Sequence, residues 1–175
     1  ESFDISVRLA ALNLIEELVS CYGEVALRCV CESATRMMHE AEQSGDANGW
    51  RRREAGVFVL GALHESLSQP LASGPREYFD VTNFLSKALL NDVQPQVTPF
   101  LRGRALVCAA NYTSNKQTSP EISAHFFQLS VQTLVSAGPL PARICACRAI
   151  AKLAPLQDPA TLGPCFETLV QGILI

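Results

Sequence analysis

Apolar residues recur at intervals of three and four positions along much of the chain. Residues at this spacing share one face of an α-helix, because a helix completes a turn about every 3.6 residues. The clearest stripes are Val81, Phe84, Leu85, Ala88 and Leu89, and, after Pro120, Ile122, Phe126, Leu129 and Thr133. Alternation with a period of two, which a half-buried strand needs, is not sustained anywhere in the sequence. The pattern predicts an all-α fold.

Glycine, proline and polar clusters divide the chain into segments of helix length. The divisions predict helices over residues 5–21, 24–43, 50–68, 80–93, 99–113, 120–136, 140–154 and 159–174. Three of these helices follow a polar residue joined to proline, in Thr98-Pro99, Ser119-Pro120 and Asp158-Pro159. The polar side chain can accept a hydrogen bond from a first-turn amide, and proline at the next position has a helical φ. These three pairs are therefore predicted helix starts.

Every second predicted helix carries an arginine near its start and an alanine three residues later. The pairs are Arg8 with Ala11, Arg52 with Ala55, Arg102 with Ala105, and Arg143 with Ala146. Successive arginines are 44, 50 and 41 residues apart, close to the period of roughly 40 to 47 residues of helical-pair repeats. The alanine would let a neighbouring helix approach, while the arginine stem would cover apolar surface.

This repeat predicts a HEAT-type α-solenoid, a right-handed superhelix of about four antiparallel helix pairs. One unit would span residues 1–175, with helix pairs over 24–68, 80–113 and 120–154 and incomplete pairs over 1–21 and 159–175. The chain ends on the apolar residues 169–175, and its first helix would lack a partner. Because solenoids need polar caps, we expect a segment of a longer solenoid that self-associates through apolar ends.

The three consecutive arginines Arg51, Arg52 and Arg53 could form a basic address or a nucleic-acid patch. Consecutive helical positions are about 100° apart, so the three side chains would fan around the axis instead of forming one patch. Trp50 and the side of the helix bearing Val57, Leu60 and Gly61 would then anchor it in the stack. The pattern favours a packed helix with no direct contact to nucleic acid.

Composition and charge narrow the possible classes. With 48% hydrophobic, 18% charged and 7% aromatic residues, the chain can bury a sizeable core of packed helices. Residues 1–98 carry 8 basic and 14 acidic residues, and residues 99–175 carry 6 and 3, so only the first part would attract a basic partner. The acidic start is unlike a signal peptide, and no apolar stretch approaches the roughly 18 residues of a membrane span. We expect a soluble intracellular protein without membrane contact.

The seven cysteines could form disulfide bonds or bind zinc. Their number is odd and several lie in apolar runs, which favours reduced core cysteines in a cytosolic or nuclear protein. Cys29 with Cys31, and Cys145 with Cys147, could supply four thiolates. Zinc pairs, however, lie on turns, whereas positions i and i+2 of a helix point in nearly opposite directions. No metal site is predicted.

The sequence contains no recognisable group of catalytic residues. His39, His64 and His125 stand singly on predicted helices, without a neighbouring nucleophile and carboxylate. Neither a P-loop nor a dinucleotide-binding glycine pattern is present. The sequence therefore predicts a protein that is not an enzyme and needs no cofactor.

Several segments resemble a known family of transport receptors. They are Ser6-Val7-Arg8, the stretch 50–61 (WRRREAGVFVLG), Tyr78-Phe79-Asp80-Val81 followed by Phe84-Leu85, the stretch 97–106 (VTPFLRGRAL) and the stretch 142–150 (ARICACRAI). In their order and spacing they are similar to the central HEAT repeats of the importin-β (karyopherin-β) family. The resemblance covers most of the chain.

The resemblance implies a receptor that shuttles between cytoplasm and nucleus. Such receptors bind protein cargo, here basic cargo such as histones and ribosomal proteins, or actin, and they also contact nuclear pore proteins. They release cargo when Ran-GTP binds, chiefly to amino-terminal repeats that would lie outside this chain. A structural HEAT scaffold, such as a subunit of a phosphatase or kinase assembly, is the alternative that would not depend on Ran.

Acidic residues are the candidate partner-binding residues. Glu16 and Glu17 lie on a predicted second helix of a pair, and Glu40, Glu42 and Asp46 cluster at a helix end and the following loop. Long-range attraction could draw a basic cargo to them. The alternative is that they form an ordinary solvated face.

Overall fold

The computed structural model describes residues 6–69, 71, 76–114, 118–136 and 138–174. Its elements within these ranges are helical, as the sequence predicts. They are α1 (Val7–Tyr22), α2 (Glu24–Gln43), α3 (Gly49–Ala62), α4 (His64–Ser68), α5 (Val81–Asn83), α6 (Leu90–Asp92), α7 (Pro99–Ser114), α8 (Pro120–Val135), α9 (Leu140–Leu153) and α10 (Pro159–Leu174). A π-helical turn, Phe84–Leu89, joins α5 to α6, and a 3-10 turn, Ala154–Leu156, follows α9.

The predicted helix over residues 50–68 is interrupted at Leu63. Just before the break, the carbonyls of Leu60 and Gly61 accept hydrogen bonds from α7, at 2.7 Å from the Tyr112 hydroxyl and 3.0 Å from the Asn111 side-chain amide. These two carbonyls would otherwise accept the next backbone hydrogen bonds of the helix, so the tertiary hydrogen bonds compete with helix continuation. The single predicted helix therefore becomes α3 and α4.

The predicted helix over residues 80–93 has the expected limits but a different geometry. Its central turn is π-helical, and the Ser86 hydroxyl donates to the Thr82 carbonyl at 2.7 Å. A side chain that occupies a carbonyl four residues back favours a local widening of the helix. The predicted stripe is confirmed, since Phe84, Leu85 and Leu89 are buried.

All three predicted proline starts are confirmed, because α7, α8 and α10 begin at Pro99, Pro120 and Pro159. The Ser119 hydroxyl accepts from the Ile122 amide at 3.4 Å, and the Asp158 carboxylate accepts from the Thr161 amide at 2.6 Å. The hydrogen bond from the Thr161 amide also lowers the pKa of Asp158. The predicted cap at Thr98 is wrong: its buried hydroxyl has no hydrogen-bond partner in the described part of the chain.

Helices α3, α7 and α9 form a row in which neighbours run parallel. Trp50 stacks on Phe100, and Gly61 accepts from Asn111, so α3 and α7 are in register at an offset of 50 residues. Lys152 donates to Asn111 at 2.5 Å, which places α9 against α7 at an offset of 41 residues. These offsets equal the sequence separations of the corresponding arginines, Arg52 to Arg102 and Arg102 to Arg143. Equivalent positions of the sequence pattern thus contact each other in space.

The remaining long helices lie beside this row. Helix α2 packs against α1 and α3, and α8 packs against α7, α9 and α10. A Cβ on Gly49 would meet the Ala41 carbonyl at 2.7 Å and one on Gly56 would meet Met38 at 2.5 Å, so α2 and α3 run antiparallel. The described helices are consistent with an α-solenoid.

The core lies between these helices, with Tyr112, Phe126 and Phe127 among its largest fully buried side chains. The predicted anchor positions Val57 and Leu60 are also fully buried. In contrast, no side chain of α1, and none of those described for α10, is fully buried. Helices α2, α3, α7, α8 and α9 therefore supply most of the buried core.

Glycines, in addition to the predicted alanines, lie where helices of the row meet. A Cβ on Gly61 would lie 3.0 Å from the Cys108 sulfur, and one on Gly103 would lie 2.9 Å from the Cys145 Cβ. Among the predicted alanines, Ala105 and Ala146 are fully buried, but Ala11 is exposed because no described helix packs on that side of α1. The predicted role of alanine is wrong at Ala11.

Candidate protein-binding groove

The three consecutive arginines point in different directions, as their helical spacing predicts. Arg51 lies over the Trp50 ring at 5.4 Å from its centroid. Arg52 reaches back to the α2–α3 loop, 3.2 Å from the Ser44 hydroxyl and 3.6 Å from Asp46. Arg53 donates to Asp92 of α6 at 2.5 Å. The triplet therefore does not form one basic patch.

Arg53 and Asp92 form a buried ion pair that ties α3 to α6. Their side chains are 13% and 5% exposed. Burial raises the pKa of Asp92, and the hydrogen bond and charge of Arg53 act against that rise. The second carboxylate oxygen of Asp92 is buried without a hydrogen-bond partner in the described ranges. This pair is a structural clamp, since the arginine compensates a carboxylate that the fold removes from water.

A second charged cluster joins α1, α3 and α7. Glu54 on α3 is 8% exposed and accepts from Arg8 of α1 and, at 2.8 Å, from Arg104 of α7. The two guanidinium carbons lie 4.5 and 4.6 Å from the centroid of the Phe58 ring. A buried glutamate is thus compensated by two arginines, which also rest on an aromatic ring.

An aromatic pair borders this cluster. Trp50 at the start of α3 and Phe100 at the start of α7 stack with centroids 5.9 Å apart and an angle of 16° between their planes. Phe100 is 58% exposed, so much of its ring remains accessible beside the stack. The pair forms a flat apolar surface next to the arginines.

Together these residues line a groove of about 670 Å³ that extends to Pro141 and Cys145 of α9. We call it the arginine groove and define it by Arg8, Trp50, Arg51, Glu54, Phe100 and Arg104. It contains three arginines and one glutamate, so its charge is positive. Burial raises the pKa of the Cys145 thiol at its edge, so this cysteine is not an activated nucleophile. The groove presents guanidinium groups and an apolar aromatic surface side by side.

The structure does not bring all five predicted acidic residues together. Glu16 and Glu17 lie exposed on the middle of α1, whereas Glu40, Glu42 and Asp46 lie exposed at the carboxyl-terminal end of α2 and in the loop after it. Ile15, next to Glu16, shares a pocket with Val30 and Met37 of α2, so about ten residues of α2, or about 15 Å, separate the two sites along its axis. A single contact surface for all five would therefore have to extend along α2.

Two of the five acidic residues already have basic partners. Glu42 lies 3.4 Å from Arg53, and Asp46 lies 3.6 Å from Arg52 and accepts from the Asn48 amide at 2.9 Å. In the described part of the chain no ion pair involves the other three, Glu16, Glu17 and Glu40. These three are therefore the predicted residues whose charge is available to a partner.

Glu42 also lines a second cavity. It measures about 370 Å³ and lies between α2 and the segment from Tyr78 to Asn91. Arg76 helps to hold the start of that segment, because it donates to Glu24 at 2.9 Å and to the Leu67 carbonyl at 3.0 Å. The lining mixes apolar, acidic and basic side chains, and no single ligand chemistry follows from it.

The cysteines are only partly the core residues that the sequence predicts. All seven are unpaired thiols. Cys31 and Cys108 are buried, which confirms the prediction for these two. Cys21, Cys29 and Cys147 are exposed, so the prediction is wrong for them: apolar runs on a helix also cover its outer face. Cys29 and Cys31 do point to opposite sides, as expected for positions i and i+2.

Comparison with known families leaves the chain unassigned, because no protein-family model matches it. Within the described ranges, no group of three or more His, Cys, Asp or Glu side chains is placed to hold a metal ion. No helix in the same ranges has both the length and the apolar character that crossing a membrane requires. Any function therefore has to be argued from the groove and the helix row.

The arginine groove was not among the sequence predictions. Its signal was present as two similar stretches, Trp50-Arg51 with Glu54 and Phe100 with Arg104, each of which places an aromatic residue at a helix start. Recognising that the two stretches meet requires the offset of 50 residues between α3 and α7. The repeat spacing gives that offset, but it does not indicate that Glu54 of one stretch pairs with Arg104 of the other.

Proposed function

We propose that the chain is a HEAT-repeat segment of a nuclear transport receptor of the importin-β family. The observation that carries the proposal is the parallel row of α3, α7 and α9, whose offsets of 50 and 41 residues equal the spacing of the sequence repeat. A stack of equivalent helices is the architecture by which solenoids present long surfaces to protein partners. The order of the motifs supports importin-9 as the member it resembles.

In this proposal the chain binds basic protein cargo, such as histones or ribosomal proteins, and carries it from the cytoplasm into the nucleus. Glu16, Glu17 and Glu40 are exposed and unpaired with any described basic residue, so their charge can attract a basic partner over a distance. The paired residues Glu42 and Asp46 would contribute less, because Arg53 and Arg52 already offset their charge.

Release of the cargo would follow from negative coupling between two sites. Ran-GTP would bind to repeats outside residues 1–175, and the solenoid would adopt a curvature in which cargo binds more weakly. Each ligand must then lower the affinity for the other by the same factor. This reciprocity separates a transport receptor from a HEAT scaffold that only holds partners together.

The test is a titration of a labelled core-histone dimer with the chain and with a full-length receptor that contains it, with and without Ran-GTP. Measurements at low and at physiological salt separate diffuse attraction from a fitted site, because salt screens exposed charges. We expect the receptor to bind the dimer at both salts and Ran-GTP to weaken that binding. Binding that Ran-GTP leaves unchanged would favour the scaffold and overturn the transport proposal.

Charge reversal tests the acidic residues within that titration. Glu16→Lys with Glu17→Lys is expected to weaken histone binding, mainly by slowing association. The matched control is Glu65→Lys with Glu167→Lys, which makes the same change in net charge at exposed positions on α4 and α10. Equal effects of the two pairs would show that only overall charge matters.

A further inference from the structure

The arginine groove retains positive charge after its internal pairing. Glu54 offsets one of the two arginines that contact it, and Arg51 takes part in no ion pair within the described ranges. Arg104 contacts Glu54 through Nε, and a guanidinium has further N–H donors beyond the one it uses there. Arg8, Arg51 and Arg104 are all partly exposed. The groove can therefore accept additional carboxylate oxygens.

The apolar surface beside these donors sets a second requirement for a ligand. Phe100 exposes more than half of its surface while its ring is stacked on Trp50. Pro141 continues the apolar lining towards α9. An aromatic or large aliphatic side chain placed on this pair would bury apolar area and would add stacking. The complementary ligand thus has both carboxylates and a large apolar side chain.

We propose that the arginine groove binds an acidic peptide segment of a partner protein, with its carboxylates on Arg51 and Arg104 and an apolar side chain on the Trp50–Phe100 pair. This partner has the opposite charge to the basic cargo proposed for Glu16, Glu17 and Glu40. The inference depends only on the groove, and it requires neither Ran nor a transport role.

An acidic peptide fits the groove better than a nucleic acid does. Glu54 lies in the groove lining, and residues 1–98 carry 14 acidic against 8 basic residues. A polyphosphate chain that extends from the groove over residues 1–98 would meet this excess of negative charge. A short peptide can instead place a few carboxylates on the arginines and direct the remainder away from the acidic surface.

The sequence supplies a probe for the test, because Trp50 is its single tryptophan. A synthetic peptide in which Glu and Phe recur among Gly and Ser is titrated into the chain while tryptophan fluorescence is followed. We expect saturable change in the Trp50 signal, and much weaker change with an otherwise identical peptide that has Lys in place of Glu. A Lys peptide that binds as tightly would overturn the proposal.

Charge reversal of Arg51 locates the contact. Arg51→Glu should weaken the acidic peptide roughly tenfold or more, since a charge-assisted hydrogen bond is lost and a repulsion replaces it. Arg36→Glu makes the same change in net charge at an exposed position of α2, outside the groove, and should have a much smaller effect. Both sites are exposed, so the fold should tolerate both changes. Equal effects of the two variants would overturn the assignment to the groove.

Removal of the exposed ring tests the apolar contact. Phe100→Ala should weaken the Glu/Phe peptide several-fold but have little effect on a peptide in which Ala replaces Phe. An equal loss for both peptides would contradict a contact between the rings. A single-stranded oligonucleotide of matched charge is titrated in parallel, and tighter binding of the oligonucleotide would overturn the choice of an acidic peptide.

Discussion

Arg52 and Arg53 are adjacent in sequence but have very different environments. Arg52 is close to half exposed and lies 3.6 Å from an exposed aspartate, whereas Arg53 is 13% exposed and pairs with the buried Asp92 at 2.5 Å. Exposed ion pairs contribute little to stability, but removal of one partner from a buried pair leaves an uncompensated charge. The two arginines therefore form a matched pair for substitution.

We expect Arg53→Gln to lower the free energy of unfolding by about 3 kcal/mol and Arg52→Gln to change it by less than about 1 kcal/mol. Chemical denaturation followed by circular dichroism measures both. Combining Arg53→Gln with Asp92→Asn should recover part of the loss, because the unpaired charge is removed with its partner. Similar values for the two single variants would contradict the structural clamp.

The cost of Arg53→Gln should also depend on pH. Burial raises the pKa of Asp92 above its ordinary value of 3.8, and loss of the arginine raises it further. When a carboxyl group has a higher pKa in the folded than in the unfolded protein, it stabilises the folded state at pH values below its pKa in the unfolded state. This contribution is lost as the pH rises through its pKa in the folded state. The gap between variant and wild type should therefore shrink from neutral pH towards about pH 4. A gap that stays constant would show that Asp92 does not carry the effect.

Thiol reactivity should separate the cysteines by burial. Burial raises the pKa of Cys31 to about 12 and raises the pKa of Cys108 further, so neither forms a thiolate near neutral pH. A thiol reagent should label the exposed Cys21, Cys29 and Cys147 quickly, and it should label Cys31 and Cys108 only after denaturation. Mass spectrometry of digested protein gives the order, and fast labelling of Cys108 in the native state would contradict the core.

For the three arginines, the sequence predicts the directions of the side chains but not the residues that they contact. Helical spacing alone indicates that Arg51, Arg52 and Arg53 diverge. It does not indicate that Arg53 meets Asp92, because that contact depends on where α6 lies after a π-helical turn. The same limit applies to the arginine groove, since Arg8, Glu54 and Arg104 come from three separate helices.

At the scale of helices, the offsets of 50 and 41 residues between α3, α7 and α9 match the spacing of the predicted arginines, but that spacing does not indicate through which residues the helices pack. The predicted small residues were alanines, whereas Gly61 and Gly103 lie where helices of the row approach so closely that a Cβ would be crowded. Both glycines lie opposite a cysteine of the next helix in the row, Cys108 and Cys145 respectively. Glycine in a helix otherwise costs stability, which indicates that close packing compensates for its presence here.

We expect Gly103→Ala to destabilise the protein by about 1 kcal/mol, although alanine favours helix. The added Cβ would lie 2.9 Å from the Cys145 Cβ and 3.4 Å from the Ala142 Cα, so α7 and α9 would have to separate. Cys145→Gly removes the first of these contacts, and the double variant should lose less than the sum of the single losses. Thermal or chemical unfolding of the four proteins completes the cycle, and simple additivity would contradict the contact.

At the scale of the whole molecule, apolar side chains are exposed on the first and the last described helices. Helix α1 exposes Val7 and Leu14 at 88% and 61%, and α10 exposes Phe166 at 70%. Such surfaces associate in water when they are not covered. We expect the sedimentation coefficient to rise with concentration, and Leu14→Glu with Phe166→Glu to reduce that rise. The control is Gln128→Glu, which also adds an acidic residue at an exposed position, on α8, and should leave the association unchanged. A wild-type protein that stays monomeric at all concentrations would contradict the expectation.

Stability should also be distributed unevenly along the row. Helix α7 packs against α3, α8 and α9 and contains the fully buried Tyr112, whereas α1 buries none of its side chains. In a stack whose members contact only their neighbours, a weakly packed terminal helix can open without global unfolding. Hydrogen exchange followed by mass spectrometry should therefore show amides of α1 exchanging well before those of α7 at low protein concentration. Uniform protection of α1 and α7 would mean that α1 and the row unfold as a single cooperative unit, with α1 held firmly by α2 and by the contacts of Arg8 with Glu54 and Phe58.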